Sequence, residues 1–247
     1  MPTRDEYLST FHRDAELFEA AVRAGGDLTQ PIDGCPDWDL GKLVEHIGGL
    51  QRFIAAGIAA GEMPKDRAEP PADRGEYADW FAQGTAALES TLTGKTDDEP
   101  CWTFFSNAPQ VIGTWVRRQC HELAVHRYDA ELAATGTAEV IDAEMATDGI
   151  DEYFDIFLER VDRRTPIRIG DATLHLHAAD TAGEWFVRCG DHAPEVTREH
   201  AKGQVALSGA ANDLLLAIWG RVTPDEVGIQ VFGDPDVWAR FHAAAAI

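Results

Sequence analysis

Large apolar residues recur every three or four positions through most of the first 163 residues, and every second position soon afterwards. That change of period constrains the fold more than any other feature of the chain. Tyr7, Phe11, Phe18 and Val22, with Ala15 between them, form a helical stripe from Thr3 to Ala24, and Gly25-Gly26 stops it. A loop holding Gly34-Cys35-Pro36 follows, after which Asp37 or Asp39 can cap a second helix carrying Leu40, Leu43, Val44, Ile47, Leu50 and Ile54. A stretch rich in proline and charge, 62–74, leads to a third helix over roughly 75–92 with Tyr77, Trp80, Phe81, Leu88 and Leu92. Residues 95–109 read as a long loop with an aromatic cluster, Trp102, Phe104 and Phe105. A fourth helix is expected over 110–134, and a fifth over 143–163 with Tyr153, Phe154, Phe157, Leu158 and Val161. Four or five amphipathic helices of about 20 residues joined by loops predict an antiparallel bundle.

The pattern changes at Thr165-Pro166. Residues 173–178 and 184–189 alternate, 204–208 is a third short strand, and 210–219 is a buried helix. A strand over 229–232 and a closing helix over 235–246 complete the chain. Strands grouped together with helices after them predict a small α+β domain. The expected division is a bundle over 1–165 and the α+β domain over 166–247.

Charge and cysteine content narrow the function. With 43 acidic against 21 basic residues, the net charge of −22 repels nucleic acid and anionic membranes. An anionic small molecule would need local arginines, for which Arg117, Arg118, Arg127 and Arg221 are candidates. The four cysteines, Cys35, Cys101, Cys120 and Cys189, form no CxxC pair, so neither a disulfide scaffold nor a zinc knuckle is expected. The first residues, MPTRDEYLSTF, hold no apolar leader core, and no run reaches the ~18 apolar residues of a membrane span. The expectation is a cytoplasmic protein, monomeric or a homodimer.

The fourth helix carries His121-Glu122-Leu123-Ala124-Val125-His126. Glu122 and His126 stand four apart and project from one helix face, a carboxylate and an imidazole ready for a divalent metal. His121 and His126 differ by five, about 140° around the helix, so the zinc-peptidase HExxH pattern is excluded. Glu122 is then a ligand candidate and not a general base. His46, on the flank of the second helix's apolar stripe, is the candidate third ligand if helices two and four face one another. Three protein ligands leave one position of a tetrahedral zinc open, as in catalytic sites. Asp129 and Arg118 flank the motif at helical spacing and read either as partners of those ligands or as surface charges. Cys120 is out of phase with Glu122 and His126 and reads as a small core residue. His175 and His177 share one face of a strand. They form an HxH pair that can chelate metal, but an alternating strand also needs polar residues on its wet face, and that plainer reading is preferred.

Two segments carry a resemblance. Cys35-Pro36-Asp37-Trp38-Asp39-Leu40-Gly41-Lys42-Leu43-Val44-Glu45-His46-Ile47-Gly48-Gly49 resembles the "cPgW…dLvaHlgg" signature of mycothiol-dependent maleylpyruvate isomerase-like proteins. The run from Arg117 to Glu131 is similar to that family's "R..hE..vHrwDae", with Tyr128 in place of the more usual tryptophan. LHLHAADTAGEW (174–185) and GAANDLLLAIWGR (209–221) resemble its smaller domain. The resemblance implies a DinB-like four-helix bundle holding a divalent metal, usually zinc, followed by a sterol-carrier-like α+β domain. By motif position, it implies that His46, Glu122 and His126 are the metal ligands and Arg221 the catalytic arginine of the second domain.

The implied activity is mycothiol-dependent. A thiol is activated at the metal and adds to a small electrophile, as in cis–trans isomerisation of maleylpyruvate, with Arg221 stabilising a carboxylate or developing enolate. Two alternatives stand beside it. A mycothiol S-transferase of detoxification or biosynthesis would make the same first step and keep the conjugate. A non-catalytic binding module would hold an apolar ligand against Trp185, Phe186, Trp219 and Trp238, although those residues read more simply as core.

Overall fold

The computed structural model describes residues 1–246, which form two compact units divided between Val140 and Ile141. In the first unit, α1 (Arg4–Ala24), α2 (Leu40–Ala60), α3 (Tyr77–Thr93) and α4 (Ile112–Thr135) make the helical bundle. The helix starts follow from local chemistry. Thr3 and Glu6 form a reciprocal capping box at α1, and of the two candidate caps for α2 it is Asp39 that accepts from the Lys42 N–H, at 2.7 Å. The apolar stripes meet in the interior, where Phe11, Phe18, Leu43, Ile47, Ile54, Phe81, Leu88 and Trp115 are almost fully buried. Burying each such side chain contributes about 1.5–3 kcal/mol relative to exposure.

Helix α1 packs chiefly on α4 and α2 on α3, with α1–α3 and α2–α4 contacts closing the ring. Consecutive helices α1 and α2 therefore do not lie side by side; the 25–39 connection carries the chain across the bundle. That crossing makes α2 and α4 neighbours, which the candidate ligands require. Gly48 of α2 lies directly under the Trp80 ring of α3, and a Cβ there would collide with the ring. Arg52, one turn on, covers the same indole at 4.2 Å.

The second unit opens with α5 (Ala143–Glu152), a π-helical turn (Tyr153–Phe157) and α6 (Leu158–Arg164), which run as one helical stretch. The expected boundary near 165 differs from this division. Helix α5 packs on α7 and α6 on α9, both within the second unit. Helical periodicity reports that one face is buried, but not which body buries it. Strands β1 (Ala172–Ala178), β2 (Glu184–Cys189), β3 (Glu195–Thr197), β4 (Val205–Gly209) and β5 (Gln230–Gly233) form a sheet of order β3-β2-β1-β4-β5, in which only the β1–β4 pair is parallel. Helices α7 (Ala211–Ile218) and α9 (Pro235–Ala245) pack on β1 and β4, and the short α8 (Pro224–Val227) precedes β5.

One face of the sheet carries Leu174, Leu176, Trp185, Val187, Val205 and Leu207, all essentially buried. The other carries His175 and His177 of β1 beside Phe186 and Glu184 of β2. Trp185 donates to Asp151, Trp219 packs on Tyr153 and Phe157, and Trp238 packs on Phe241. Trp185 and Trp238 are buried in the core, and Trp219 is half-buried. Among the described residues no helix is long and apolar enough to cross a membrane, and all four cysteines are free thiols. Cys120 is fully buried, a small core residue as its phase predicts.

Candidate functional site

His46 of α2 and Glu122 and His126 of α4 converge. His46 Nε2 lies 3.1 Å from Glu122 Oε1, and His126 Nε2 lies 3.7 Å from the same oxygen. The three ligand atoms all lie within 4.8 Å of one another. Tetrahedral zinc with bonds of about 2.0–2.1 Å would place its donors about 3.3 Å apart. The two separations from Glu122 bracket that value, so two imidazoles and a carboxylate fit a divalent ion with little rearrangement.

Neighbouring residues fix how each donor presents itself. Asp129 Oδ2 lies 2.9 Å from His126 Nδ1, which leaves Nε2 turned toward Glu122. Arg118 donates to Glu122 Oε2 at 2.6 Å, so one carboxylate oxygen is held by the guanidinium and the other faces the imidazoles. Burial pushes the Glu122 carboxyl up, but the Arg118 charge outweighs it together with His46 and His126, and the group stays ionised well below the usual carboxylate range. Asp129 and Arg118 are both buried, so they support the ligand candidates and are not surface charges. On a helical wheel Arg118, Glu122, Asp129 and His126 fall within an arc of about 80°. That arc is the signal that links them, and it was already visible in the spacing.

The loop before α2 supplies what the spacing did not reveal. The Ile32 N–H bonds to the Trp38 carbonyl, and the Trp38 N–H to the Cys35 carbonyl, both at 3.0 Å. This tight loop includes Asp37 in the left-handed region, at φ +71°. The turn sets the Trp38 ring 4.9 Å from the His46 ring and near-parallel to His126 at 6.5 Å between centroids. It also brings the Cys35 thiol to 4.0 Å from Asp129 Oδ2. Trp38 and Cys35 belong to the site by geometry, and only their place in the first signature points to them.

The other arginines divide. Arg127 is wholly buried and pairs with interior acids. Glu131 lies at 2.7 Å and Asp14, on α1, at 3.6 Å. Burial pushes the Asp14 carboxyl up, and Arg127 restrains the shift. Arg221 follows α7 in the second unit, where its guanidinium donates to the Trp219 carbonyl at 2.7 Å.

Comparison with known proteins bears on the family and the fold. Residues 8–131 match the mycothiol maleylpyruvate isomerase N-terminal domain, and residues 144–240 match the MDMPI C-terminal domain. The solved structure of the mycothiol-dependent maleylpyruvate isomerase is similar in fold, with 13% identity, a TM-score of 0.60 and 93% of each chain covered. A histidine-to-alanine mutant of that enzyme gives 12% identity, a TM-score of 0.61 and the same coverage. A ubiquinone synthesis protein, UbiJ-SCP2, aligns with 43% of this chain and 93% of its own, at 18% identity and a TM-score of only 0.32. No curated protein matches the sequence significantly. With both domain matches covering most of its length, the chain belongs to the mycothiol maleylpyruvate isomerase family of enzymes.

Proposed function

We propose that this chain is a metal- and mycothiol-dependent isomerase acting on maleylpyruvate or a closely similar cis-enedione acid, with His46, Glu122 and His126 holding a divalent ion, zinc foremost. The observation that carries the reading is the convergence of two imidazole nitrogens and one carboxylate oxygen from α2 and α4. A divalent ion in that position would supply a Lewis acid at which a thiol ionises near neutral pH. The chemistry that a thiol cofactor supplies is reversible addition to a double bond, which leaves a single bond free to rotate.

The chain's own groups prepare the site. Asp129 holds the His126 ring so that Nε2 faces the other donors, and Arg118 keeps Glu122 ionised while occupying its second oxygen. Trp38 packs beside the His46 ring and lies near-parallel to that of His126. For Arg221 the support is the family resemblance, and the role proposed is neutralisation of a substrate carboxylate or enolate.

The purified protein is expected to contain a divalent metal and to isomerise maleylpyruvate only when mycothiol is supplied. Regeneration of free thiol marks an isomerase, whereas its stoichiometric consumption would make the protein an S-transferase. Glu122→Gln should lose both metal and activity. Arg221→Ala should lower kcat with the metal content unchanged. A protein that takes up no metal when zinc is offered would overturn the ligand assignment.

A further inference from the structure

A second cluster of metal-ligating side chains lies within the second unit. In the β1–β2 pairing, Glu184 stands directly opposite His177 and diagonal to His175. Its carboxylate gathers three imidazoles: His175 Nε2 at 2.5 Å from Oε2, and His177 Nδ1 at 2.8 Å and His200 Nδ1 at 3.0 Å from Oε1. His200 comes from the segment between β3 and β4, and its ring packs edge-on to His175 at 4.7 Å between centroids. The ligand atoms of His175, Glu184 and His200 lie within 4.8 Å of one another. The wet-face reading of the HxH pair fails for His175, which is only 5% exposed. A wet sheet face requires neither a buried imidazole on a carboxylate nor a third ring drawn in from outside the β1–β2 pair.

We infer that His175, Glu184 and His200, with His177 beside them, form a second binding site for a divalent transition ion. Two or three nitrogens with one carboxylate oxygen are the donors that zinc, nickel, cobalt and copper accept, whereas calcium and magnesium prefer oxygen alone. The nitrogen–oxygen separations of 2.5–3.0 Å are hydrogen-bond distances. Bound metal would spread them toward about 3.3 Å, a movement of less than about 1 Å. Rotation of His200, whose side chain is 76% exposed, opens its own separation, and turning of the Glu184 carboxylate would have to open the closer pair with His175. Such an ion would tie the 198–204 segment to β1 and β2, acting as a clasp within the unit. The site is independent of the proposed catalytic centre, since its ligands come from other elements altogether.

The test uses the full chain, stripped with a chelator and offered Co2+ or Zn2+ alone. His46→Ala/Glu122→Gln disables the first centre. That variant is expected to take up one equivalent of Co2+ with visible ligand-field absorption, and to melt at a higher temperature with Zn2+ than without it. Adding His200→Ala, at an exposed position, should abolish the uptake, the absorption and the thermal shift together. Glu184→Gln in the same background should do likewise. The inference is overturned if the first-centre variant binds no Co2+. It is equally overturned if the bound equivalent survives both His200→Ala and Glu184→Gln.

Discussion

At the scale of single residues, the candidate centre depends as much on groups that hold the donors as on the donors themselves. Asp129 is the clearest case, since its carboxylate fixes which nitrogen of His126 faces Glu122. Asp129→Asn keeps an acceptor there but removes the charge, and metal affinity should fall about 10–100-fold. Competition against a chromophoric chelator measures this directly, and unchanged affinity would mean that Asp129 does not orient the ring. Asp37 makes a separate point. It stands where the resembling signature has glycine, and at φ +71° it occupies backbone space that a side chain disfavours. Asp37→Gly should raise the urea midpoint by the equivalent of about 0.5–1 kcal/mol, less whatever glycine adds to the freedom of the unfolded chain. A drop in stability would show that the aspartate side chain holds the turn.

At the scale of elements, close approach of α2 and α3 is what lets the rest of the bundle bring α2 and α4 together. Gly48 provides that approach, with the Trp80 ring seated on it and Arg52 over the same indole. Gly48→Ala would gain up to about 1 kcal/mol of helix propensity. Displacing this buried ring costs about 1–3 kcal/mol, so a net loss is expected, readable in chemical denaturation. The four bundle helices were legible in the sequence because their apolar stripes run for several turns and their stops are glycines. Strand β3 was not legible, because three residues, Glu195-Val196-Thr197, are too few to show a period. The unit to which 143–164 belongs was equally hidden, since amphipathicity names a buried face without naming its partner. The same limit applies at the site. The spacing of Glu122, His126, Arg118 and Asp129 along α4 is local and readable, whereas the positions of Trp38 and Cys35 depend on a folded loop. His200 reaches Glu184 only through the sheet's pairing, and nothing in its own neighbourhood of sequence marks it.

At the scale of the whole molecule, the excess of acid sets how the fold responds to pH. Near neutrality the net charge of −22 repels itself, and protonation toward the isoelectric point near 4.6 relieves that repulsion. Stability should therefore hold, or rise slightly, between pH 7 and about 4.6. Below that range the paired carboxylates reverse the trend. Glu184 starts from an ordinary value of 4.5; burial would raise it, but hydrogen bonds from His200, His175 and His177 prevail and bring it down to about 2. Asp39, Glu45 and Asp162 are lowered too, each against its own burial, by partners led by Arg74, Lys42 and Arg168 respectively. A carboxyl whose folded value is depressed stabilises the fold above its unfolded value, and that contribution fades as pH falls toward the folded one. For Glu184 the window is pH 4.5 to 2. Asp14, raised by burial, works in the opposite sense and softens the loss. Urea midpoints of chelator-treated protein at pH 7, 4.5 and 3 should stay level between the first two and fall at the third. Glu184→Gln should flatten the fall between pH 4.5 and 3, because its side chain cannot take up a proton there. If that variant keeps the full wild-type slope, the imidazoles around Glu184 do not hold its charge in the folded protein.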